Sequence, residues 1–345
     1  MNLKRYSILL VITLLLMSNV VYGENAVQLT MESAIELGLK QNQSVIDAKR
    51  NLEDARQSLL EKEGDPTTLI VALTQARNNF SYAQAQYNYV RLQVTQTVRS
   101  NYFAVLEAQN QLNLAKKQLE VANENLKAVK IRRSLGNATD TDVLQAENNV
   151  TSVQNTVASS EANLRSAIDK LLLSIGMDIS TPVVLTEPSF KEVKIDIEAL
   201  KKQTQSNLPT VVQAKNSYEL AKLQYDLANN EYTPQSQIRS AQLALESAQD
   251  SLKQVLDNLD LSINTAYQSV LNALNQVKLQ EKNLALARKN LETDNARLKV
   301  GTITKLQLMS TEASLLSAEN SYKSSIYNYL KALDALSVAV GVQLF

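Results

Sequence analysis

The chain has 345 residues, with 35 basic and 35 acidic side chains and neither cysteine, histidine nor tryptophan. Balanced charge removes the electrostatic footprint of a nucleic-acid binder. The missing cysteine and histidine remove disulfides, thiol chemistry, most transition-metal sites and the commonest general base, and no constellation of acid, base and ligand stands out among the scattered carboxylates, so the expectation is a non-enzyme with no cofactor and no metal.

At the N-terminus, Lys4 and Arg5 precede an apolar run from Tyr6 to Met17, and short residues follow at Val21 and Gly23. This is the pattern of a secretory signal over residues 1–23, and it predicts an exported protein. With no cysteine near the cleavage site, lipoprotein anchoring is excluded. From Thr30 to about Lys62, Ala34 and Leu37, then Val45, Ala48, Leu52, Ala55 and Leu59, recur by threes and fours, which predicts a helix. Gly64-Asp65-Pro66 ends it.

Thr67 to Leu135 then contains neither glycine nor proline. An unbroken helix of that length reaches on the order of 100 Å. Its register is explicit at Leu112, Ala115, Leu119, Ala122, Leu126 and Val129. Beyond Gly136, Val143, Ala146, Val150, Val153, Val157, Ser160, Leu164, Ala167 and Leu171 form a heptad seam whose small residues let a partner helix approach closely.

Gly176 closes the first half, and residues 181–193, with Pro182 and Pro188, read as a linker. A short helix from Ile195, a break at Asn207-Leu208-Pro209 and a helix through Tyr218 and Tyr225 come next. Asn229 to Pro234 interrupts the pattern, and Gln235 to Val300 is again free of glycine and proline. Tyr82, Tyr87, Tyr89, Tyr218, Tyr225 and Tyr232 gather toward one end; their heptad spacing reads as seam packing rather than as a membrane belt.

The two halves are copies. Arg132, Gly136, Thr139 and Glu147 match Arg297, Gly301, Thr304 and Glu312 at an offset of 301 − 136 = 165, and the offset carries on from Tyr102 on Tyr267 to Gly176 on Gly341. Roughly 25 positions agree, which is the mark of a tandem duplication. The chain therefore divides into a first repeat at 24–180, the linker at 181–193 and a second repeat at 194–345. The fold class is all-α: long antiparallel helical hairpins in tandem.

With the two R-x-x-x-G-x-x-T turns, the Tyr102 and Tyr267 positions, the ends at Leu171 to Gly176 and Leu336 to Gly341, and the Asn207-Leu208-Pro209 start of the second half, the chain resembles the TolC-type outer-membrane efflux proteins. The resemblance implies a homotrimer whose hairpins close into a coiled-coil helical barrel, working with a periplasmic adaptor (a membrane fusion protein) and an inner-membrane transporter. By position it implies adaptor-docking turns at Arg132, Gly136, Thr139, Arg297, Gly301 and Thr304, and an entrance constriction at Asp140, Asp142, Lys305 and Gln307. The residues alone are equally consistent with capped helical hairpins.

Two departures qualify the resemblance. Ile303 stands where the family has a basic residue. The strand insertions that cross an outer membrane are missing, with only Gly64-Asp65-Pro66 and Tyr232-Thr233-Pro234 at those places and no clear β-barrel pattern. The function expected is an efflux conduit for small molecules or peptides, with Gln109, Asn110, Gln111, Asn123 and Asn125 lining a wet lumen. The alternative is a non-conducting extracytoplasmic coiled-coil scaffold or adhesion protein. The location is the cell envelope: outer membrane, periplasm or the outer face of a single membrane.

Overall fold

A computed structural model describes residues 27–204 and 207–345; the expected signal over 1–23 lies outside them. In chain order the elements are β1 (Val27–Leu29), α1 (Met31–Gln41), α2 (Gln43–Gly64), α3 (Ile70–Ser134), α4 (Asp140–Ser174), β2 (Val183–Leu185), α5 (Ile197–Thr204), α6 (Pro209–Ala228), α7 (Gln235–Lys299) and α8 (Lys305–Val340). The helices α3 and α7 have 65 residues each and no internal break. They run this far because nothing in them costs more than an ordinary helical residue, whereas glycine and proline cluster at the joints.

Where one helix was expected over Thr30–Lys62, the chain bends at Asn42. That residue is in extended conformation, ends α1, and caps α2 by accepting the Ser44 N–H at 2.9 Å. The bend lays α1 flat on α3, so tightly that a Cβ on Gly38 would sit 2.7 Å from Val98 Cγ2. A glycine in mid-helix is thereby explained by close approach of two helices.

The short parallel pair β1 and β2, with Val27 opposite Val183, ties the start of the first repeat to the linker. Three-residue strands were invisible to periodicity. Both are fastened to α3 through the buried Tyr102, whose hydroxyl lies 2.8 Å from the Leu29 carbonyl and 2.7 Å from that of Thr186 and accepts the Thr186 N–H at 2.9 Å. Burial lifts that hydroxyl's pKa to about 12.

The long helices form a layer one helix thick. Toward the glycine turns the order across the layer is α4, α3, α8, α7, with α8 packed between α3 and α7; toward the other end α2 lies on α3, and α6 fills the gap between α3 and α7. Every seam residue of α4, from Val143 to Leu171, is buried or half-buried, and so is its counterpart in α8, from Leu308 to Leu336. The halves are joined along α3 and α8, where Phe103 and Tyr327 stack at 5.2 Å and Arg99 meets Asp334 at 2.6 Å. A layer of this kind has two edges: α2 and α4 on one side, α7 on the other.

The tyrosine reading holds only in part: Tyr87 and Tyr89 pack against the core, but Tyr82 is exposed. Tyr232 is 89 % exposed, in the loop that precedes α7, and packs in no seam. Its heptad spacing to Tyr225 falls across the end of α6, where helical register no longer carries over. Among the described residues no closed β-barrel is present, and both joints at that end are short loops.

Candidate functional site

Each long hairpin reverses on a left-handed glycine: φ is 77° at Gly136 and 75° at Gly301. The backbone bonds are the same in both copies. The Gly136 and Asn137 N–H groups return to the Arg133 and Arg132 carbonyls at 3.0 and 2.8 Å, and those of Gly301 and Thr302 return to Leu298 and Arg297 at 3.0 and 2.9 Å. This is the Schellman closure, which needs positive φ after the helix. The repeated arginine falls in the last turn, where a cation is favoured by the carbonyl end of the helix dipole.

The returning helices are capped alike. Thr139 accepts the Asp142 N–H at 3.1 Å while the Asp142 carboxylate accepts the Thr139 N–H at 2.7 Å, a reciprocal capping box. The backbone and hydroxyl bonds from Thr139 hold the Asp142 pKa below its ordinary value. Thr304 accepts the Gln307 N–H at 3.2 Å, without a carboxylate in return. Asp140 pairs with Arg133 at 2.7 Å, and Arg297 with Asp294 at 3.3 Å. Lys305 opens α8 with its side chain exposed.

So the structure brings Arg132, Gly136, Thr139, Asp140 and Asp142 together at one tip and Arg297, Gly301, Thr304, Lys305 and Gln307 at the other. Both tips are open: a Cβ on Gly136 or Gly301 would meet nothing within 4 Å. Exposed apolar side chains flank them, Ile131 and Leu135 at the first and Val300 at the second. Ile303 is only 8 % exposed and seals the second hairpin.

Above the tips, one face of the layer carries almost no charge. On α8 the exposed or half-exposed stripe reads Ser310, Ser314, Ser317, Ser321, Ser324, Asn328; on α4, Gln145, Asn149, Ser152, Thr156, Ser159, Asn163. On α7 it reads Asn258, Ser262, Thr265, Ser269, Asn272, Gln276, Asn283, and on α3 Gln93, Ser100, Ala104, Glu107, Gln111, Gln118. Glu107 is the exception, and Lys331 lies 3.3 Å from it. All four helices border a shared concavity of about 620 Å³ on this side.

The opposite side is covered by the linker and strands. Tyr102 receives the strands; Lys323 and Lys278 pair with Glu187 and Glu192 of the linker at 2.7 and 3.6 Å. Each of these residues stands two positions from a stripe residue (Ser100, Ser321, Gln276), and two positions in a helix turn a side chain about 200°. The wall was only partly foreseen. Asn110 and Gln111 border the concavity and Asn125 continues the α3 stripe, but Gln109 and Asn123 stand two positions from Gln111 and Asn125 and so point to the other side. The 3-4 spacing continues down α4 and α8 to Asp142 and Gln307, which therefore end the stripes at the tips.

No helix among the described residues is long and apolar enough to cross a membrane, and they hold no cluster of three side chains suited to a metal ion. Residues 67–177 match a family described as outer membrane efflux protein. The fold is similar to that of the Campylobacter jejuni CmeC outer membrane channel, at a TM-score of 0.68 and 13% identity over 90% of this chain and 85% of that one. It is also similar to the outer membrane protein VceC of Vibrio cholerae, at 0.65 and 14% over 91% and 97%. A membrane protein from Pseudomonas aeruginosa gives 0.67 and 13% over 90% of each chain. No functionally curated protein matches the chain.

Proposed function

From the premise that this chain is a relative of the TolC-type outer-membrane efflux proteins, we propose that it is the conduit component of an exporter, working in the cell envelope. The observation that carries the reading is the nearly uncharged face, where Glu107 with Lys331 is the exception: four parallel stripes of mostly hydroxyls and amides bordering one concavity, on a layer too thin to enclose anything by itself. Such a wall suits passage of hydrated cargo, small molecules or peptides, because it offers weak, replaceable hydrogen bonds and little fixed charge to trap an ion.

In this reading the two repeats, 24–180 and 194–345 joined by 181–193, close with further copies of the chain into a helical barrel, three of them by likeness to the family. The tips at Gly136 and Gly301, with Arg132, Thr139, Arg297 and Thr304, receive the hairpin ends of a membrane fusion protein that couples the conduit to an inner-membrane pump. Asp140, Asp142, Lys305 and Gln307 surround the entrance. The capping bonds do not compete with this role; they present the tip rigidly.

The test is adaptor capture. Replacing Gly136 and Gly301 together by leucine forces a branched side chain onto a left-handed backbone and fills both tips, so the expected result is loss of pull-down with the far-ultraviolet circular dichroism nearly unchanged. Undiminished capture would reduce the turns to hairpin closures, and a protein that assembles yet supports no efflux from liposomes would be a scaffold.

A further inference from the structure

The nearly uncharged wall changes character along its length. Above the tips its stripes carry hydroxyls and amides as far as Glu107 and Lys331, which meet at 3.3 Å. Beyond that pair the 3-4 spacing continues with different residues: on α8 it runs from Asn328 and Lys331 to Ala335 and Val338, and on α3 from Gln93 to Tyr89, Gln86 and Tyr82. The Glu107–Lys331 pair thus marks the boundary between a polar zone and an apolar one.

A second concavity, of about 600 Å³, opens in the apolar zone between α3, α6, α7 and α8. Tyr82 and Tyr89, about two turns apart on α3, border it together with Leu208 and Pro209 at the start of α6 and Val338 and Ala339 at the end of α8. Three amides stand among them, on Gln86, Gln213 and Asn258. None of the described side chains that line it carries a charge. The seat is fixed before anything enters it, because Gly341 ends α8 at a φ of 67° and lies so close to α6 that a Cβ there would sit 3.1 Å from Leu208 Cδ2. It lies between helices of one chain rather than on an outer edge of the layer.

We propose that this concavity is a binding site for an uncharged aromatic small molecule, a station in the wall of the conduit. Its volume falls in the range of about 300–1,000 Å³ that small ligands occupy, and its lining is of the kind such ligands select: aromatic and aliphatic, with a few polar groups. A planar ring stacks on Tyr82 or Tyr89, while the amides meet a hydroxyl or carbonyl on the ligand. A carboxylate or an ammonium group would leave water for a seat that holds no opposite charge, and that cost lowers its affinity. The concavity nearer the tips has a similar volume, but its amides, hydroxyls and Glu107–Lys331 pair offer an aromatic ring no such surface. Cargo that enters at the tips therefore meets the polar zone first and the apolar station after it. The proposal rests on the conduit reading for what the site is for, since it names neutral aromatic molecules as the cargo that dwells longest in the wall; the site itself belongs to the single chain.

Fluorescence titration of the purified chain with phenylnaphthylamine, an uncharged aromatic amine, and with its sulfonated analogue tests the site. Saturable micromolar binding of the neutral probe is expected, with the anion about tenfold weaker. Val338→Asp, at a half-buried side chain, should weaken the neutral probe about tenfold. Tyr82→Ser, at an exposed one, should weaken it about threefold and keeps the test readable if Val338→Asp fails to fold. Leu286→Asp, at an open leucine of α7 outside the concavity, and Ser317→Asp/Ser321→Asp, beside the polar one, should leave it unchanged. No saturable binding, equal affinity for the two probes, or losses in Leu286→Asp as large as those in Tyr82→Ser would overturn the site and leave a conduit standing. An assembly that binds the neutral probe through Tyr82 and Val338 yet supports no efflux from liposomes would keep the site and sink the conduit.

Discussion

Arg99 of α3 donates to Asp334 of α8 at 2.6 Å, with the two side chains only 5 % and 4 % exposed, and this pair pins the first half of the chain to the second. The same guanidinium bonds the Phe345 carbonyl at 3.2 Å and lies 4.0 Å from the centre of that residue's ring. Arg99 Nε and Asp334 Oδ2 find no partner. Removing one member leaves the other polar group buried without its partner, so Arg99→Leu is expected to cost about 3–5 kcal/mol, while Arg99→Leu/Asp334→Leu costs much less. Denaturant midpoints of the single and double variants decide this; equal losses would mean that the pair itself holds the halves together.

The same carboxyl makes stability depend on pH. Burial, only partly offset by Arg99, lifts the Asp334 pKa to about 6, against about 3.9 in an unfolded chain. The folded state thus holds a proton that the unfolded state releases first. Its stabilisation is complete below about pH 4, fades as pH rises through 6, and is gone above. The stability of the wild type relative to Asp334→Asn should fall by on the order of 2 kcal/mol between pH 4 and pH 7, read from paired melts. A constant difference would show that Asp334 is ionised throughout. Asp142 has the opposite sign: its pKa is lowered, so its small contribution is present at neutral pH and lost on acidification.

Tyr102 and Tyr267 are the same residue in the two repeats, but their consequences differ. Tyr102 serves two carbonyls and one N–H beneath the strand pair, whereas Tyr267 is half-buried. Tyr102→Phe strands those buried groups and should cost about 1–3 kcal/mol; Tyr267→Phe should stay within about 0.5 kcal/mol. Comparable losses in the two variants would remove the strand pair as the reason for Tyr102.

At the tips, the capping box predicts that Thr139→Ala destabilises by about 1 kcal/mol. Thr304→Ala should cost less, because Gln307 returns no bond to the Thr304 N–H. Local hydrogen exchange in the first turns of α4 and α8 would reveal the difference, and equal exchange would deny the box any weight.

The wall makes a prediction of its own under the conduit reading. Reversal potentials across a conducting assembly should lie near zero for the wild type, and Ser317→Asp/Ser321→Asp should shift them toward cation selectivity, since those side chains face the concavity. A strongly selective wild type would mean that charges elsewhere control passage.

Length, the glycine-free runs and the 3-4 spacing determined the long helices, and the 165-residue offset determined that they come twice; these are local properties, since a helix and its stop are decided within a turn or two of chain. Arg132, Gly136 and Thr139 were legible for that reason: cation, left-handed turn and cap each act on neighbouring backbone. What only the tertiary structure decided is which side of each helix faces what. The bend at Asn42, the contact of Gly38 with Val98, the clasp of Tyr102 on Leu29 and Thr186, and the union of four separate serine and amide stripes into one wall all depend on residues far apart in sequence. Periodicity gives a helix an apolar face, but the polar remainder reads alike whether it meets a lumen, a linker or another subunit, and only packing tells those apart.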